Sequence, residues 1–127
     1  MYYKKKYGAE GENIAYNYLK SIGYSIIQKN FSCKFGEIDL IAIDESHNSQ
    51  EFVFIEVKSR STIDYGHPSE AVNTHKKRHI IKVAEFFILI NHLENANIRF
   101  DVIEILYKKN CCYINHIKNA FDSSTVH

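Results

Sequence analysis

Apolar residues recur along this chain in two rhythms. Across residues 9–22 they fall at Ala15, Tyr18, Leu19 and Ile22, the i, i+3, i+4, i+7 spacing of one helix face. Gly23 supplies a stop, and Glu12 extends that face by one turn at its N-terminal end. Shorter runs at 24–28, 38–43 and 52–58 read as strands, the last two joined as a hairpin by the polar stretch 44–50. Residues 59–65 read as loop. Pro68 suits the first turn of a helix running to about Leu93, with Val72, Ile80, Val83, Ala84 and Phe87 as its apolar set. Strands follow at 98–106 and 113–117 around a turn at Asn110, and 119–127 reads as a C-terminal tail. The order α-β-β-β-α-β-β predicts an α/β fold, a mixed central sheet with helices packed against it.

Charge interrupts this pattern at two places. One is Asp39, within Ile-Asp-Leu-Ile-Ala-Ile, and the other is Glu56-Val57-Lys58, closing the run Phe52-Val53-Phe54-Ile55. Phe52, Phe54, Glu56 and Lys58 share one strand face, while Val53, Ile55 and Val57 share the other. Both faces start apolar, as in a central strand, and polarity enters on one face only toward the end. A buried carboxylate is costly unless it is paired, hydrogen-bonded or bound to a metal. Two carboxylates and a lysine at a sheet end suit a metal-dependent phosphodiesterase: the acids hold one or two hard cations, and the lysine stabilises developing charge. The plain alternative is a Glu56–Lys58 ion pair at a strand terminus, with Asp39 facing water on an edge strand. Glu12 divides similarly, between a third site carboxylate and a first-turn acid favoured by the helix dipole. Arg60 and Lys76 divide between phosphate contacts and solvated surface.

The remaining composition narrows the class. At 127 residues the chain suits one domain, and 45% apolar with 24% charged residues is ordinary for a globular protein. There is no apolar run of membrane length and no secretory signal, which points to a cytoplasmic protein with no membrane partner. Cys33 stands alone, and Cys111-Cys112 read as a packed pair of thiols rather than zinc ligands. The net charge of +1 is too low for nucleic-acid binding by bulk charge. Setting aside Glu12, Asp39, Glu56 and Lys58 leaves 15 basic against 12 acidic side chains, +3. The basic residues cluster at Lys4-Lys5-Lys6, at Lys58 with Arg60, and at Lys76-Lys77-Arg78. No phosphate loop, dinucleotide fingerprint or serine-hydrolase elbow occurs. His75 and His79 form an i, i+4 pair without a third zinc ligand in view.

Several separated motifs occur in order: Gly8-x-x-Gly11-Glu12-x-x-Ala15-x-x-Tyr18-Leu19, Gly23-Tyr24, Asn30 and 36–42 (Gly-Glu-Ile-Asp-Leu-Ile-Ala). They continue through Phe54-Ile55-Glu56-Val57-Lys58-x-Arg60, Arg99-Phe100-Asp101-Val102 and His116-Ile117-x-Asn119-Ala120-Phe121. Together they resemble the YraN family of small bacterial proteins over nearly the whole chain. That family is similar to the restriction-endonuclease-like superfamily, archaeal Holliday junction resolvases among them. The resemblance implies a three-layer sandwich, a central mixed β-sheet flanked by helices, in a single domain spanning 1–127. It implies Glu12, Asp39, Glu56 and Lys58 as the catalytic set. Asp39, Glu56 and the Val57 backbone carbonyl would hold Mg²⁺ or Mn²⁺, with Glu12 a further candidate ligand. Lys4, Arg60, Lys76 and Arg78 would contact nucleic acid. The superfamily pattern has Pro before the aspartate where this chain has Ile38, a position that supplies no ligand.

Three classes of function are open at this point. One is an endonuclease acting on DNA, branched or recombination and repair intermediates included, with RNA not excluded and either a homodimer or a partner protein compatible. A second is a non-catalytic nucleic-acid-binding module or subunit. A third is an interaction protein docking through 86–90, a run that reads more readily as core.

Overall fold

The computed structural model describes residues 2–46, 48–61 and 73–125, with the side chains of 2–9 and 125 outside that description. The elements are α1 (Tyr2–Ser21), β1 (Ser25–Cys33), β2 (Gly36–Asp44), β3 (Glu51–Ser61), α2 (Thr74–Ile90), β4 (Asn97–Lys108) and β5 (Cys111–Phe121), ending in a 3₁₀ turn at Ser123–Thr125. The strands form one mixed sheet in the order β1-β2-β3-β4-β5. Neighbours are antiparallel except β3 and β4, which run parallel because α2 makes the crossover between them.

The sheet carries one helix on each face, which makes three layers. On the α1 side Ala15 and Leu19 pack with Leu40, Ala42, Val53, Ile55, Ile103 and Ile105. On the α2 side Val83, Ala84 and Phe87 pack with Ile41, Phe52, Phe54, Phe100 and Val102. Alternate residues of β3 and β4 thus serve opposite cores, so these strands lack a polar face. Burying each such Leu, Ile or Phe contributes roughly 1.5–3 kcal/mol. That docking, more than intrinsic propensity, holds both helices in place.

Capping sets the helix ends. Gly23 adopts φ +94°. Its N–H reaches Lys20 O at 3.1 Å and the Tyr24 N–H reaches Leu19 O at 3.0 Å, closing α1. The Asn73 side chain accepts from the Lys76 N–H at 2.9 Å and starts α2.

Several boundaries differ from those the sequence predicts. α1 stops at Ser21, so Ile22 falls beyond the buried stripe and is exposed. β3 continues through Ser59, Arg60 and Ser61, because β4 pairs with it as far as Ser61↔Tyr107. α2 begins at the Asn73 cap; Pro68 and Val72 lie outside the described residues. The expected tail at 119–127 starts later, since β5 runs to Phe121, buried against Phe100 with ring centroids 5.1 Å apart. Cys111 is exposed and Cys112 half-buried against the α1-side core, so they are not a packed thiol pair: adjacent strand residues face opposite ways.

Candidate functional site

β2 and β3 pair by backbone from Asp44↔Glu51 to Leu40↔Ile55, and the next step of that register would reach Asp39 and Glu56. There a side chain replaces the backbone partner: Asp39 Oδ2 accepts from the Val57 N–H at 2.8 Å. Amide and carbonyl of one strand residue point toward the same edge, so the Val57 carbonyl is directed to this side too. Glu56 lies two residues past buried Phe54 on the α2 face and is 5% exposed. Lys76, from the first turn of α2, places Nζ 2.6 Å from Glu56 Oε1.

Asp39 and Glu56 lie within direct electrostatic reach of each other. Burial pushes Glu56 up to about 7; the charge of Asp39 adds to the rise, and Lys76 and Lys58 oppose it. Burial also raises Asp39, opposed by the Val57 N–H and Lys76. With Glu56 buried and Asp39 half-buried beside it, ionising both acids together is costly.

Glu12 approaches from α1. Gly11 brings the helix in: a Cβ there would lie 1.9 Å from Ser59 Oγ and 3.3 Å from Ser59 Cβ, so any larger residue requires the Ser59 side chain to move. Burial raises the Glu12 pKa, followed by the charges of Asp39 and Glu37, while a hydrogen bond from Asn30 and the charge of Lys29 lower it. Glu12 lines a cleft of about 250 Å³ with Asn13, Lys29, Asn30 and Leu40, where Asn30 adopts φ 51°. Among the described residues no three His, Cys, Asp or Glu side chains converge on one point. Glu12 therefore feels the charge of Asp39 without joining the Asp39–Glu56 pair.

The other candidates separate. Lys58 is half-buried, opposite Glu104 in the β3–β4 register. Arg60 places a guanidinium nitrogen 3.4 Å from Glu104 Oε2. Glu104 is wholly buried and its Oε1 accepts from Asn115 at 2.9 Å. Arg60 is thus occupied within the protein. Lys76 serves Glu56 first, and Arg78 is exposed on α2. The side chain of Lys4 lies outside the described residues.

Residues 99, 101 and 116 carry a second polar cluster whose role sequence reasoning missed. Arg99 donates to Asp101 twice at 2.9 Å, to Asp44 at 2.9 Å, to Glu51 at 3.1 Å and to the Tyr24 hydroxyl at 2.6 Å. Asp101 also accepts from His116 Nε2 at 2.7 Å and the Asn119 N–H at 3.0 Å. With Nε2 bearing the hydrogen, His116 Nδ1 accepts the Tyr18 hydroxyl at 3.0 Å. Against burial, the bonds from His116, Arg99 and the Asn119 N–H hold Asp101 below the usual carboxylate range, and bonds from Ser46, then Arg99 and Tyr24, do the same for Asp44. The cluster fastens β2, β4 and β5 to the C-terminal end of α1. Three charges at 99, 101 and 104 inside one apolar strand were the available signal.

One buried and one half-buried carboxylate, with lysines delivered by β3 and α2, define an α/β protein with a paired-acid site on a five-stranded mixed sheet. Residues 11–105 match the profile described as Uncharacterised protein family UPF0102, the YraN family of the motif resemblance, and the chain belongs to that family. It is 50% identical over 118 residues to a UPF0102 protein of Clostridioides difficile, covering 92% of this chain and 97% of the relative. It is 45% identical over 121 residues to one of Caldanaerobacter subterraneus, covering 93% and 96%. A UPF0102 protein of Persephonella marina is 43% identical over 115 residues, covering 91% and 92%. No helix among the described residues is long and apolar enough to cross a membrane.

Proposed function

We propose that this chain is a metal-dependent nuclease of restriction-endonuclease-like architecture, hydrolysing phosphodiester bonds of DNA, branched or repair intermediates included. The observation that carries the reading is the Asp39–Glu56 pair, a half-buried acid beside a buried one, with Glu56 raised to about 7. Catalytic sites are where such perturbation concentrates. Two carboxylates with the Val57 carbonyl suit Mg²⁺ or Mn²⁺, which take oxygen ligands and leave places for water and substrate phosphate. A cation bound there would polarise the phosphoryl oxygen and make water a better nucleophile.

The chain's own residues supply the rest. The Val57 N–H fixes Asp39, so the donor geometry is set before a cation arrives. Lys58 shares a face with Glu56 and offers positive charge to the phosphoryl oxygens as the bond to phosphorus forms. Lys76 neutralises Glu56 in the resting state and becomes available to phosphate once that carboxylate is otherwise engaged. Glu12 adds negative charge within electrostatic reach of Asp39.

The test is cleavage of a labelled panel in Mn²⁺: linear duplex, single strand, flap, fork, four-way junction and RNA, with Asp39→Ala alongside. Cleavage by the wild type alone supports the reading; equal cleavage by the variant refutes it. One contact favours a second reading. The 2.6 Å Lys76–Glu56 bridge already neutralises half the acid pair internally. A binding module with no resident metal would keep such a bridge, and its affinity for DNA would be unchanged by EDTA.

A further inference from the structure

We infer that the outer face of α2, with the β1–β2 turn, is a track for an unpaired nucleic-acid strand; resting on the nuclease reading, this names its substrate. His75, Arg78, His79 and Lys82 are all exposed and fall at i, i+3, i+4 and i+7, one stripe opposite the buried Ile80, Val83, Ala84 and Phe87. They line one open cleft of about 580 Å³. A second cleft of about 570 Å³ adjoins it, sharing Lys82 and Glu85, and is lined by Phe35, Phe86 and Leu89. The groove therefore changes character along its length, from polar with Arg78 and Lys82 set against Glu85, to aromatic and apolar.

Both walls lead to the acid pair. α2 carries Lys76, which contacts Glu56, one residue from the start of the stripe. Phe35 stands in the turn that enters β2, four residues before Asp39. His79 Nδ1 meets Phe35 O at 3.1 Å and ties the walls together; since the carbonyl only accepts, Nδ1 donates. The His75 end of the stripe is the end nearest Lys76 and so the end nearest the carboxylates.

The chemistry selects unpaired bases. Nonspecific recognition of single strands combines a cationic path for phosphates with aromatic faces for bases. Here the stripe supplies the path, and the half-buried Phe35 and Phe86 supply the faces, 6.4 Å apart between centroids. Lys34 Nζ lies 5.2 Å from the Phe35 ring. Glu94 in the apolar cleft, with Glu85 at the junction of the two clefts, repels a second row of phosphates. A duplex would have to place one there, whereas a single strand turns its bases toward that end instead.

The experiment is fluorescence anisotropy in EDTA, which separates binding from cleavage. The probes are labelled oligo(dT), oligo(U) and blunt duplex of equal length, with thermal unfolding as a folding control. The wild type should prefer either single strand to duplex. Lys82→Glu and Phe35→Ala should each weaken single-strand binding by roughly tenfold, and Phe35→Ala should leave duplex binding within about twofold. Phe35→Leu keeps the apolar volume, removes the ring, and stands in should the alanine variant fold poorly. Equal affinity for dT and U, or a preference for either, upholds the track and identifies the sugar it accepts. Duplex preferred to single strand, or single-strand affinity unchanged in Lys82→Glu and Phe35→Leu, overturns it. Cleavage of the panel with this groove indifferent would leave the nuclease reading standing, and single-strand binding through the groove without cleavage would do the reverse.

Discussion

Replacing Glu56 by Gln should make the metal-free protein more stable above neutral pH. In the folded state Glu56 titrates at about 7, against a reference value of 4.5. At 1.36 kcal/mol per pH unit, that difference corresponds to about 3 kcal/mol. The folded state binds the proton more tightly, so stability is complete below pH 4.5 and is lost as pH rises through about 7. Glutamine keeps the shape and does not ionise, so it removes this loss. It also removes the bridge to Lys76, whose side chain is 46% exposed, an offset of no more than ~1 kcal/mol. The expected net gain is about 2 kcal/mol at pH 8, or about 8 °C in Tm for a chain of this size, with little gain at pH 4.5. Thermal and urea unfolding followed by circular dichroism in EDTA between these two values would measure it. Adding Mn²⁺ at pH 8 should raise the wild-type Tm and move Glu56→Gln much less. A variant destabilised as much at pH 8 as at pH 4.5 would refute the assignment of strain to the acid pair.

Other perturbations probe the frame around the site. Arg99→Met leaves Asp44 and Asp101 buried beside each other without their cation, and should cost about 3–5 kcal/mol in urea unfolding; a loss below ~1 kcal/mol would show that the cluster does not bear on stability. Gly11→Ala forces a Cβ against Ser59 Oγ and should cost about 1–3 kcal/mol. Ser59→Ala should recover most of that loss in the double variant, because Ser59 Oγ is buried without a hydrogen-bond partner, and strict additivity would count against the close approach. Lys76→Met frees Glu56 Oε1 and should tighten Mn²⁺ binding by about tenfold in calorimetry, some 1.4 kcal/mol; weaker binding would mean that Lys76 assists the cation instead of competing with it.

Much of this protein was legible in one dimension. The period of its apolar residues determined that there are two helices and five strands, and in what order, because a helix or strand must turn one face to a core wherever that core lies. Acids inside apolar strands marked Asp39 and Glu56 for the same reason: burying charge has a cost that calls for a partner. Glycine at 23 likewise read as a helix stop, whereas Gly11 was only a motif residue until the fold placed Ser59, 48 residues away, against it.

The partners themselves were decided only in three dimensions. Glu56 pairs with Lys76 across a crossover helix rather than with Lys58, its neighbour on the strand, and Arg60 turns to Glu104 rather than to solvent. Arg99, Asp101 and His116 appeared in the sequence as motif residues without a task, and only the sheet order brings Asp44, Tyr24 and Tyr18 to them. The strand ends at Ser61 and Phe121 belong here as well, since a strand lasts as long as its neighbour pairs with it. Periodicity is a local property imposed by backbone geometry. Ion pairs, register and strand length depend on distances between residues remote in the chain, and the packing of the whole sheet sets those distances.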